Sequence, residues 1–149
     1  MKRVLTDELK KTLKDLKPDQ VSTYIKDNSN QMTGKKSFYY HMKDVLDEKR
    51  IKLKDVYSFA GVTESYGGQI LRMEKHTTNR DLIIRLCMAG HFSWHETDRA
   101  LKLYGFNELY AKDPRDACII VALNNRIFCI PDIDDMLADQ GLNILSKDD

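Results

Sequence analysis

Between Thr63 and Asp116 the sequence announces the start of a helix four times. Thr63 precedes "ESYGGQIL", Asn79 precedes "RDLIIRLCMAG", Ser93 has Glu96 three residues on, and Asp113 stands before Pro114 with Asp116 at the third position. Each pattern sets a side-chain oxygen where it can accept a hydrogen bond from an orphan amide of the first turn, and Ser93 with Glu96 forms a capping box. Pro114 suits a first helical position, because its missing N–H would have no partner there anyway. So many starts in so short a stretch leave no room for paired strands, and the sequence predicts an all-α chain. The run "ACIIVAL" (117 to 123) is rich in β-branched residues, but it follows the Asp113-Pro114 start and has no partner strand, so it reads as buried helix.

The same logic extends to both ends. Leu5, Leu9, Leu13 and Leu16 repeat at helical spacing opposite Lys10, Lys11, Lys14 and Asp15, which predicts a helix over residues 6 to 17 opened by Thr6. Pro18 starts a second short helix with Val21, Tyr24 and Ile25 as its apolar positions, and "DNSNQMTGKKS" (27 to 37) has the turn formers and charges of a linker. Residues 1–36 therefore read as an N-terminal helical appendage, too small to bury a core alone. From Phe38 onward, Phe38, Met42, Val45 and Leu46 form one face of a helix ending near Arg50, and Val56, Phe59 and Ala60 mark the next.

The last third matches itself. "RDLIIRLCMAG" (80 to 90) aligns with "RDACIIVALNN" (115 to 125), and "ETDRALKLYGFN" (96 to 107) aligns with "DIDDMLADQGLN" (132 to 143). Both copies open on Arg-Asp and close on a glycine, Gly105 or Gly141, placed for a left-handed helix end. Residues 108–149 are thus expected to form a C-terminal helical hairpin stacked on its predecessor.

Several function classes lose support at this level. The longest apolar run is Ala117 to Leu123, far short of a membrane span, and the N-terminal end lacks the pattern of a signal peptide, so a cytoplasmic protein with no membrane association is expected. Cys87, Cys118 and Cys129 are scattered in apolar surroundings and read as buried, inert thiols. Cys87, His91 and His95 are spaced like metal ligands, yet Gly90 and the Ser93 cap break the helix between them, so no metal site or cofactor is expected. No strand-bound glycine loop and no nucleophile-base pair with an oxyanion device is recognisable, and catalytic residues are not expected. The formal charge is only +1, but residues 1 to 60 carry 14 Lys/Arg against 9 Asp/Glu and residues 61 to 149 carry 10 against 14. A basic front half can meet phosphates; the acidic segment with Asp132, Asp134, Asp135, Asp139, Asp148 and Asp149 can dock a basic protein partner.

"LKDVYSFAGVTESYGGQILRM" (53 to 73) has an apolar-patterned helix, Gly61 at a sharp turn, the apolar Val62 directly after it, then the Thr63 cap and a second helix. Over about residues 37 to 104 it resembles the lambda-repressor-like (Cro/cI, XRE-type) helix-turn-helix family, in which Val56, Ala60, Gly61, Val62 and Ile70 take the core, small-residue, turn, plug and second-helix positions. Two residues depart from that pattern. Tyr57 stands where a small Ala is usual and Gly67 where Ile or Val is usual; the two face each other across the helix crossing, so a ring against a glycine conserves volume.

The resemblance implies a helix-turn-helix DNA-binding domain over 37–107 that regulates transcription as a homodimer on double-stranded DNA. It sets Glu64, Ser65 and Gln69 at base edges and Lys54, Thr63, Arg72 and Lys75 at phosphates. Gly68 falls near the groove-facing surface in such a pose. Leu53, where many relatives have a phosphate-contacting Gln, together with Glu64 and Glu74, weakens the basic character of that surface. A protein-interaction adaptor that keeps the fold and has lost DNA binding is the alternative.

Overall fold

The computed structural model describes residues 6 to 28 and 36 to 146, so the expectations at Leu5, in most of the linker, and at Asp148 and Asp149 lie outside the described residues. All regular structure among the described residues is helical, and the chain divides into two compact units, Met1–Gly34 and Lys35–Asp149. In the first unit, α1 (Thr6–Lys14) and α2 (Val21–Asp27) flank a single 3₁₀ turn at Pro18–Gln20. Its described side chains bury nothing fully, and Leu13, Val21 and Ile25 are exposed.

The second unit holds α3 (Ser37–Lys49), α4 (Leu53–Ala60), α5 (Glu64–Leu71), α6 (Arg80–Ala89), α7 (Trp94–Tyr104), α8 (Pro114–Asn124) and α9 (Ile130–Asp139). The centre is α6, buried at every residue from Leu82 to Ala89 and packed by α4, α7 and α9. A helix apolar on nearly all sides has to be wrapped in this way. Neighbouring helices contribute single faces to the same core: Phe38, Met42, Val45 and Leu46 from α3, Val56, Tyr57 and Ala60 from α4, Ala100, Leu101 and Tyr104 from α7.

The caps predicted from sequence are formed. Thr63, Asn79, Ser93 and Asp113 accept from the amides of Tyr66, Asp81, Glu96 and Asp116, and the Glu96 carboxylate accepts from the Ser93 amide to close the box. Each such cap is worth roughly 1 kcal/mol. The helix exits share a device that the sequence did not announce. Beyond the glycines at 61, 105 and 141, the non-glycine residues Arg50, Met73, His91 and Arg126 also take positive φ, near 60°. At the end of α6 it is therefore His91, not Gly90, that turns the chain, and Phe92 N–H then donates to the Cys87 carbonyl.

The internal repeat has a structural counterpart. Arg80 makes two hydrogen bonds to the Asp116 carboxylate at 2.9 and 3.0 Å, and Arg115 makes two to Asp81 at 2.8 Å each, so the two Arg-Asp pairs are exchanged reciprocally. Each arginine also donates to the carbonyls closing its own copy, Arg80 to Asn107 and Glu108, Arg115 to Asn143 and Ile144. Asp98 and Asp134 occupy equivalent places, accepting from the amides of Leu109 and Leu145. Reciprocal exchange is the signature of a local two-fold relation. The α6–α7 and α8–α9 hairpins are thus two similar halves clasped at their openings.

Three expectations are corrected. Phe59 is 72% exposed, because α4 turns Val56, Tyr57 and Ala60 inward and leaves position 59 outside that face. Trp94, which the Ser93 cap puts just inside a helix and which therefore reads from the sequence as a packing residue, is exposed at 37% at the start of α7. Of the cysteines only Cys87 is buried; Cys118 is half-buried and Cys129, which precedes α9 as its cap residue, is exposed.

Candidate nucleic-acid interface

The α4–α5 pair is built around its turn. Gly61 has φ 78°, a conformation that side chains with a Cβ adopt only at a cost, and the Val62 amide donates to the Tyr57 carbonyl to seal the end of α4. Val62 is half-buried against the core, as a residue wedged between two helices should be. Thr63 then caps α5, whose inner face is Gly67, Gly68, Ile70 and Leu71.

The two glycines of α5 accommodate different neighbours. A Cβ on Gly67 would lie 2.4 Å from Cδ1 and 3.1 Å from Cγ of Tyr57, so the absent side chain makes room for the buried tyrosine ring, as the sequence pattern suggested. A Cβ on Gly68 would lie 2.8 Å from an Arg72 guanidinium nitrogen. Gly68 is therefore buried beneath Arg72, which corrects its expected place on the outer surface. Burial raises the Tyr57 phenol above its ordinary pKa, against the opposing pull of the Arg72 cation.

The expected DNA-contacting residues lie on or beside this pair. Glu64 and Ser65, in the first turn of α5, are exposed, while Gln69, one helical turn on, is half-buried. Thr63, Lys54 in the first turn of α4, and Lys75 are exposed, and neither lysine makes an ion pair with a described residue. Arg72 is different. Its Nε donates to Oε1 of Glu74 at 2.8 Å and its Nη2 to Oε2 at 3.3 Å. That double hydrogen bond pushes the arginine pKa up and holds the Glu74 carboxyl below the usual carboxylate range.

The pair depends on Met73, whose positive φ folds the chain back so that the amides of Glu74 and Lys75 both donate to the Gln69 carbonyl. Glu74 was legible as a negative charge on the surface but not as the partner of Arg72, since helical pairing rules look three or four residues along, not two. The following segment is tied down as well. His76 stacks on Tyr104 at 4.7 Å, and the Thr77 amide donates to the Tyr104 hydroxyl, so His76 packs against the end of α7.

Elsewhere the sequence-level clusters separate. Cys87 lies in the core, where burial pushes its thiol far above the ordinary value, His91 stacks on Phe128 at 4.6 Å, and His95 is exposed. Asp134 is used by the Leu145 amide, while Asp132, Asp135 and Asp139 are exposed on α9. No group of three metal-ligating side chains comes together among the described residues, and no helix there is long and apolar enough to cross a membrane. No family model matches the chain, and no curated protein or solved structure matches it significantly. What fold and site define is a chain whose regular structure, among the described residues, is all helical, with a sharply turned, capped helix pair that presents a polar first turn to solvent.

Proposed function

We propose that the chain binds duplex DNA with α5 in the major groove and regulates transcription, the α4–α5 pair acting as a lambda-repressor-like helix-turn-helix. The observation that carries this reading is the turn itself: positive φ at Gly61, Val62 wedged inward, and the Thr63 cap directing Glu64 and Ser65 into solvent at the start of α5. The stretch that carries the resemblance, about residues 37 to 104, forms five helices, α3 to α7, and a five-helix domain is what that resemblance implies. In this reading Glu64, Ser65 and Gln69 face base edges, and Lys54, Thr63, Arg72 and Lys75 face phosphates. Two copies of the chain would read two half-sites about one helical turn apart.

A second reading, a protein-docking adaptor, is favoured by the exposure of Phe59 and by the neutralisation of Arg72. Selection of bound fragments from a random duplex pool separates the two. The DNA reading predicts enrichment of a motif with two related halves; recovery of unenriched sequence overturns it and leaves docking through α4.

A further inference from the structure

The contact between Arg72 and Glu74 carries one step more, and it rests on the DNA reading of α5. We propose that Glu74 is a built-in competitor of DNA phosphate, holding the guanidinium of Arg72 in the free protein and having to be displaced before Arg72 reaches the duplex. The two hydrogen bonds use the fork geometry with which a guanidinium grips phosphate, so carboxylate and phosphate compete for the same donors. Two neighbours create the arrangement: Met73 turns the carboxylate back over α5, and Gly68 lets the guanidinium lie close against the helix, where any Cβ would sit 2.8 Å from it. The side chains are 51% and 53% exposed, so water screens the pair and its displacement tunes affinity without forbidding binding. Among the described residues, the other ionisable side chains acting on Arg72 are the phenols of Tyr57 and Tyr39.

The test uses the full chain and a labelled random-sequence duplex at low salt, with wild type, Glu74→Gln, Arg72→Ala and the double variant. Glu74→Gln is expected to tighten binding about two- to fivefold, as for release of an exposed ion pair, and to change almost nothing in the Arg72→Ala background. Equal tightening in both backgrounds would mean simple repulsion between Glu74 and DNA and would overturn the proposal. An arm without DNA follows the Glu74 carboxyl by NMR: it titrates below the ordinary glutamate range in wild type and returns toward it in Arg72→Ala and in Gly68→Ala, where the new Cβ displaces the guanidinium. Identical titration in all three proteins overturns the pairing itself. A pair that titrates as expected in a protein that binds no duplex, with or without Glu74, places the failure in the DNA reading instead and removes the competitor role with it.

Discussion

Gly67→Ala isolates the contact that lets this helix pair close. In an ordinary helix the substitution would stabilise by roughly 0.5 to 1 kcal/mol through backbone entropy. Here the added methyl would meet the Tyr57 ring at 2.4 Å and 2.7 Å, and would reach Cγ at 3.1 Å. Because Cγ sits at the root of the ring, swinging the ring tip away gives no relief; α4 and α5 must separate or Tyr57 must leave its buried position. Overpacking of this kind costs about 1 to 3 kcal/mol, so the net expectation is a loss of about 1 to 2 kcal/mol. In a Tyr57→Ala background the clash is absent, and the same substitution should stabilise by the full propensity term. The coupling across the cycle is therefore about 1.5 to 3 kcal/mol, measured as the difference between urea unfolding free energies of the four proteins. If Gly67→Ala has the same effect in both backgrounds, Tyr57 is not the reason for the glycine and the account of this crossing fails.

Three further outcomes follow from the same contacts. Asp116→Asn removes the anion shared by Arg80 and the Tyr110 amide at a site 7% exposed, and should cost about 2 to 4 kcal/mol in urea unfolding, whereas the exposed Asp132→Asn should stay within about 0.5 kcal/mol. Burial works against the ionised forms of Asp116 and Glu96, but the Arg80 and Tyr110 hydrogen bonds at Asp116, and those of Ser93 and Lys49 at Glu96, outweigh it and hold both carboxyls below their ordinary values. At these two groups the unfolded chain binds more protons than the folded one, so their contribution is complete above about pH 5 and is lost as pH falls through the folded values, while Asp98, pushed up by burial, acts in the opposite sense; a wild-type advantage over Asp116→Asn that does not shrink between about pH 5 and 2 would contradict it. Under native conditions a thiol reagent should modify exposed Cys129 well before Cys87, which becomes reactive only on unfolding, and simultaneous labelling would refute the placement of α6.

What the sequence made legible were the features written in local chemistry. Side-chain caps depend on a residue and its next three neighbours, and Thr63, Asn79, Ser93 and Asp113 all act as read. The pairing of Gly67 with Tyr57 was visible because two departures from one pattern compensated each other in volume. Non-local choices were hidden. Helical spacing alone groups Phe59 with Val56 and Ala60, and its exposure is decided by how α4 packs against α6 and α5. Gly68 gave no clue because its neighbour is a flexible arginine from the next turn, held in place by a residue past the helix end. The duplicated Arg-Asp dipeptides are visible as a repeat, but their reciprocal exchange requires two hairpins in space and has no trace along the chain.

The central claim is that α5 meets duplex DNA, and the salt dependence of binding tests it most directly. With Lys54, Arg72 and Lys75 as the phosphate-facing cations of one copy, the logarithm of the binding constant should fall with the logarithm of salt concentration at a slope of about −3 per copy bound. Arg72→Ala should make that slope about one unit shallower. Absence of binding at about 50 mM salt, or a slope that Lys54, Arg72 and Lys75 substitutions leave unchanged, would contradict the account.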